Sequence, residues 1–167
     1  MRILIIIMAI MLSLASFAQP IQTDSVASKQ IGQLKFLTGS WKGNGWMMMA
    51  DGKKHFFDQT EKVQFKLDQT LLLIEGNGAA EGKPIHNALA IVNWNAKDNQ
   101  YTFRSWLSTG RGSEFKAEMK DGKFYWYPNT NMQYIIYLNE KGQWYEFGEI
   151  KRKEEWVRFF EMTLDKE

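Results

Sequence analysis

From residue 39 onward the chain alternates apolar and polar residues with a period of two, in short runs separated by turn residues. That period puts successive side chains on opposite faces of a β-strand. The first run covers residues 39–50. Its odd positions hold Gly39, Trp41, Gly43, Gly45, Met47 and Met49, and its even positions hold Ser40, Lys42, Asn44, Trp46 and Met48. Asp51-Gly52 is a hairpin signal. In residues 55–67, Val63, Phe65 and Leu67 oppose Lys62, Gln64 and Lys66. Runs over residues 70–78, 85–95 and 101–108 follow, and in the last of these Tyr101, Phe103 and Leu107 share a face opposite Arg104 and Trp106. Phe115, Ala117 and Met119 oppose Glu114, Lys116 and Glu118, and Asp121-Gly122 is a second hairpin signal. Residues 123–127, 132–138, 143–150 and 155–164 complete the set. About ten short strands with tight turns predict an all-β barrel or sandwich. The run of consecutive hairpins favours a single closed antiparallel up-and-down barrel, which also leaves no exposed strand edge.

Ahead of the strands, Ile31, Leu34 and Leu37 recur every three residues, which predicts a short helical turn that plugs one end of the barrel. Residues 19–28 are polar and unpatterned and predict a mobile leader. Residues 3–14 are almost wholly apolar, follow Arg2, and lead into Ala15-Ser16-Phe17-Ala18. These are the parts of a secretory signal peptide cleaved after Ala18. The apolar run is shorter than the ~20 residues a membrane-crossing helix needs, and no cysteine follows to take a lipid anchor. The expected organisation is a signal peptide over 1–18, a leader and short helix over 19–33, and one barrel domain over 34–167. The product is expected in the periplasm or the medium, with no transmembrane segment in the mature chain.

Composition narrows the chemistry. The chain has 21 Lys+Arg against 19 Asp+Glu, so no electrostatic footprint for nucleic acid is present and no nucleic-acid partner is expected. With no cysteine, disulfides, thiolate metal sites and a cysteine nucleophile are excluded. Two histidines, His55 and His86, leave little for a metal centre, and none is expected. Seven Trp, six Tyr and eleven Phe suit a large core or a stacking pocket. Trp41 shares a face with Gly43 and Gly45, which mark a sharp bend or close approach by another group and, if that face is interior, leave volume empty beside the indole.

Gly39-Ser40-Trp41 opens the first strand just after the helical turn, a Gly-x-Trp that resembles the calycin superfamily of lipocalins, fatty-acid-binding proteins and avidins. The longer run from Phe36 through Gly45 is similar to nitrobindin-like ten-stranded barrels and to related secreted bacterial barrels. Gly82-Lys83-Pro84-Ile85-His86 resembles a second nitrobindin segment, and Phe160-Glu161-Met162-Thr163-Leu164 resembles the closing strand of the bacterial relatives. In lipocalins a basic side chain from the closing strand packs on the tryptophan. The resemblance assigns that closure role to Arg158 on Trp41 by cation–π contact, with Arg152 as the alternative. Nitrobindins hold haem on a histidine near the C-terminus and carry the Gly-x-Pro-x-His histidine on the distal side. His86 matches the distal position, but no histidine follows it. No cofactor is therefore expected, with haem as the alternative.

The functional expectation is an exported barrel that binds a small hydrophobic or amphipathic molecule in its lumen. Candidate ligand-binding residues are Met47, Phe65, His86, Phe103, Phe115, Trp126 and Tyr134. A packed core is the competing account of the same residues. The alternative function is a solid-core module that binds protein or glycan through exposed aromatics such as Trp46, Trp94 or Trp106. No nucleophile elbow, phosphate-binding loop or paired carboxylate is visible along the chain, and Glu146 and Glu149 fall on opposite faces of their strand. No catalysis is expected.

Overall fold

A computed structural model describes residues 21–167. The expected signal peptide lies outside the described residues. Helix α1 (Ser25–Gly32) runs into a 3₁₀ turn (Gln33–Leu37). Ten strands follow: β1 (Gly39–Met48), β2 (Lys54–Lys66), β3 (Leu71–Ala80), β4 (Lys83–Asn95), β5 (Gln100–Leu107), β6 (Gly112–Lys120), β7 (Lys123–Asn129), β8 (Met132–Leu138), β9 (Trp144–Arg152) and β10 (Glu155–Lys166). Each pairs antiparallel with its sequence neighbours, and β10 returns to pair with β1, closing the barrel. The turn chemistry supports this topology. At Asp121-Gly122 both residues have positive φ, 51° and 73°, the backbone that matches the right-handed twist of a two-residue hairpin.

Residues 25–28, expected to be mobile, are helical. The reason is Asp24, whose Oδ1 accepts from the backbone N–H of Val26 at 2.9 Å and Ala27 at 3.0 Å. This N-cap satisfies donors that the helix itself leaves free. Ile31, Leu34 and Leu37 are fully buried, and the Tyr101 hydroxyl donates to the Gln30 carbonyl at 2.7 Å. The helix thus closes the barrel end that also carries the β2–β3, β4–β5, β6–β7 and β8–β9 turns. The opposite end, the mouth, carries the other hairpins.

The seam between β1 and β10 explains the glycines beside Trp41. A Cβ on Gly43 would lie 2.1 Å from the Thr163 carbonyl oxygen and 2.9 Å from the Leu164 Cα. Gly43 therefore serves close approach of the two backbones, not empty volume. Trp41 is 1% exposed. Its Nε1 donates to the Leu37 carbonyl at 2.8 Å, and its ring meets Trp144 edge-on with centroids 5.9 Å apart.

The cation over Trp41 is Lys166, with Nζ 5.2 Å from the ring centroid, and neither Arg158 nor Arg152. The antiparallel register decides this. Trp41 lies opposite Lys166 at the end of β10, whereas Arg158 lies near the mouth and Arg152 is exposed at the β9–β10 hairpin. Arg158 instead covers Phe147 on the outer wall, 4.0 Å from its centroid, and donates to Tyr145 Oη at 2.9 Å and Glu161 Oε2 at 2.7 Å.

Candidate functional site: the barrel lumen

The two halves of the lumen differ in packing. Near the closed end, Trp41, Leu72, Val92, Phe124, Trp144 and Leu164 are all 1% exposed or less. Toward the mouth, Met47, Phe115, Trp126, Tyr134 and Phe159 are only partly buried, although all pack against the core. Side chains are thus fully covered at the base of the lumen and partly exposed toward the mouth.

An aromatic wall lines the upper part. Trp126 on β7 stacks face to face on Phe103 of β5, at 4.8 Å and 6°, and on Tyr134 of β8, at 4.2 Å and 4°. Phe115 on β6 leans on Trp126 with centroids 5.3 Å apart. Strand parity produces this group, because each of these residues occupies the inward position of its own strand. Four of the expected site residues, Phe103, Phe115, Trp126 and Tyr134, therefore meet. Met47 lies nearby on β1, opposite Phe160. Phe65 does not join them. It sits near the closed-end terminus of β2, opposite Leu72. His86 is at the rim, exposed, yet with enough protein around it for burial to push its pKa below the usual 6.5. The proposed surface aromatics also separate. Trp46 lies under Lys54 Nζ at 3.5 Å, Trp94 packs edge-on against Tyr101, and Trp106 is 43% exposed on the outer wall.

The lumen also contains a polar group absent from the sequence expectations. Gln59 and Glu61 on β2 and Glu146 on β9 all point inward and are buried. Gln59 Nε2 donates to Glu61 Oε1 at 2.6 Å, and Trp144 Nε1 donates to Glu146 Oε2 at 3.2 Å. Two glycines of β3 make room for this pole. A Cβ on Gly76 would stand 2.7 and 2.9 Å from the two Glu61 carboxyl oxygens, and one on Gly78 would stand 2.6 Å from Gln59 Oε1. Glu61 and Gln59 therefore lie flat against bare backbone.

The pole is electrostatically unfinished. Burial raises the Glu61 pKa to about 7, and the Gln59 bond offsets only part of that rise. Burial also raises Glu146, to about 8, with repulsion from Glu61 adding to the effect and the Trp144 and Trp126 indole N–H groups opposing it. Carboxyls that lose hydration and face each other keep protons they would lose in water. Glu61 Oε2 and Trp126 Nε1 are buried without a partner in hydrogen-bonding geometry. Among the described residues no third Asp, Glu or His joins the pair. A cleft of about 460 Å³ at the closed end, lined in part by Gln30, Trp94, Asn99 and Lys116, has no comparable unpartnered side chain.

No protein-family model matches the chain, and no curated protein matches it. Among solved structures the barrel is similar to the crystal structure of Rv2717c from M. tuberculosis. That match has a TM-score of 0.60 and 10% identity, over 82% of this chain and 96% of that one. It is also similar to the S-type phycobiliprotein lyase CPES from Guillardia theta, with a TM-score of 0.57 and 10% identity, over 88% of this chain and 98% of that one. The expectation that this chain is not an enzyme does not stand, since a barrel of the same form is named a lyase. Fold likeness assigns no reaction here, but it removes the ground for excluding one. At this identity the likeness concerns architecture alone, and it agrees with the strand order: the chain folds as a closed ten-stranded antiparallel barrel.

Proposed function

We propose that this barrel binds a small amphipathic molecule in the upper half of its lumen. The aromatic wall takes the apolar body, and the Gln59–Glu61–Glu146 pole takes the polar end. The observation that carries this reading is the pairing of partly exposed stacked rings with buried polar atoms that have no partner in the protein. Apolar burial supplies most of the affinity, and a few fixed polar groups set orientation. A finished core would cover the rings and satisfy the polar atoms. In this reading residues 1–18 serve as an export signal, and binding takes place in the periplasm or the medium.

The finer, nitrobindin-like form of the resemblance would add haem, and the lumen residues do not fit it well. His86 is the one described imidazole at the lumen rim, because His55 Nε2 contacts Asp51 Oδ2 at 2.9 Å on the β1–β2 hairpin. A macrocycle in the upper lumen would have to displace the Trp126–Tyr134 stack and then face two buried carboxyls. The reading therefore contains no haem.

The test uses protein exported by its host. Its N-terminus is expected to begin at Gln19, and denaturing extraction with mass spectrometry is expected to release a small organic molecule. The emptied chain is expected to bind 1-naphthylmethanol with quenching of tryptophan fluorescence, and Trp126→Ala is expected to weaken that binding about tenfold, as loss of one stacking surface should. Haemin is expected to give no shifted Soret band. An extract without any small molecule, together with no naphthylmethanol binding, would overturn the lumen reading.

A further inference from the structure

We propose that the Glu61–Glu146 pole is a subsite for a cationic nitrogen, so that the lumen ligand is a planar apolar molecule carrying an amine. This inference rests on the lumen reading above and names the class of ligand. Three observations carry it. First, Glu61 is only 8% exposed, and its Oε2 has no hydrogen-bond partner. Second, neither lumen carboxyl takes part in an ion pair. Every Lys, Arg or His that pairs with a carboxylate among the described residues does so elsewhere, with Asp51, Glu114, Glu149, Glu154 or Glu161. Third, Gly76 and Gly78 leave room for Glu61 and Gln59 where any side chain would displace them.

Groups that face the pole from the surrounding strands do not supply a positive charge. Trp144 on β9 and Trp126 on β7 offer neutral N–H groups. Tyr134 on β8 has its pKa raised, by burial first and then by Glu146, and stays a neutral phenol. His86 on β4 is depressed and therefore neutral at pH 7. The inward positions of β1 and β10 nearby are Gly45, Phe160 and Met162. Removing a proton from either carboxyl leaves a buried negative charge with no cation beside it, which is costly. A single ammonium brings the site to neutrality and offers three N–H donors, one for Glu61 Oε2. Two carboxyls with no third acidic or imidazole ligand are too few for a protein-held metal ion, which favours an organic cation.

The experiment compares 1-naphthylmethylamine with 1-naphthylmethanol by calorimetric titration of the full chain at pH 7. The two probes share shape and apolar area and differ in charge. The amine is expected to bind at least tenfold more tightly. In Glu61→Gln/Glu146→Gln that preference is expected to fall to about onefold. Glu149→Gln, on the outer wall, is expected to leave the preference unchanged. If the native chain binds both probes equally, the amine subsite is wrong and the lumen reading survives. If it binds neither, both fail. The native-chain comparison decides the matter even where the double variant does not fold.

Discussion

Trp41→Ala is expected to destabilise the barrel by about 4 kcal/mol, the usual scale for truncating a large buried aromatic. Three separate contacts are lost at once. The indole fills the base of the lumen against Trp144. It covers the last turn of the 3₁₀ segment by donating to the Leu37 carbonyl, and that acceptor would be left buried. It also provides the ring beneath Lys166, which ties the end of β10 to the start of β1. Lys166 is an exposed residue, so its part in the loss is small, while cavity formation and the orphaned carbonyl dominate. A chain of this size should lose on the order of 10 °C in Tm. Trp41→Phe keeps an aromatic ring and loses the hydrogen bond, so about 1–2 kcal/mol is expected. Denaturant titration of both variants checks this. Equal small losses, under about 1 kcal/mol, would mean that Trp41 does not organise the closed end.

Glu146→Gln is expected to leave stability near its native value at pH 5 and to raise it by roughly 2–4 kcal/mol at pH 9. The sign follows from which state holds the protons. Both lumen carboxyls titrate in the folded chain well above their ordinary value of 4.5, Glu61 at about 7 and Glu146 at about 8. Between those limits the folded chain binds protons that the unfolded chain has released. Their contribution to stability is complete below about pH 4.5 and is lost as pH rises through 7 and 8. Glutamine cannot ionise. It keeps an oxygen for the Trp144 N–H, and it removes the repulsion that Glu61 otherwise faces. His86 works in the opposite sense below its ordinary pKa of 6.5, but it is common to both chains and cancels in the comparison. Stability curves against pH that run parallel for the two proteins would contradict the account.

Most of the architecture could be read from alternation and turn chemistry. Trp41, Phe103, Phe115 and Trp126 face inward because each shares parity with the apolar set of its strand. Asp51-Gly52 and Asp121-Gly122 end strands as hairpin residues should. The beginning of α1 was hidden because its signal is one residue, Asp24, and not a periodic pattern. Register was hidden too, since period two fixes the face of a residue but not its partner on another strand. For that reason Lys166, not Arg158, meets Trp41, and Phe65 lies apart from the stack. The carboxyl pair needed both kinds of information. Gln59 and Glu61 continue the inward set of Val63 and Phe65, and Glu146 shares the parity of Trp144 and Gly148. A charged residue on an apolar parity is a usable signal on one strand. That the two acids lie close enough to repel one another depends on closure of a barrel that brings β2 and β9 around to the same interior.

The most direct test of a lumen with an uncompensated carboxyl pair is a pH titration of the side-chain carboxyl carbons of Glu61 and Glu146 by carbon-detected NMR. Glu61→Gln and Glu146→Gln supply the assignments. Two coupled steps are predicted, both above pH 6 and centred near 7 and 8, with the Glu146 step moving toward lower pH in Glu61→Gln. Two independent titrations near 4.5 would show hydrated carboxylates, and neither the buried pole nor the ligand chemistry built on it would stand.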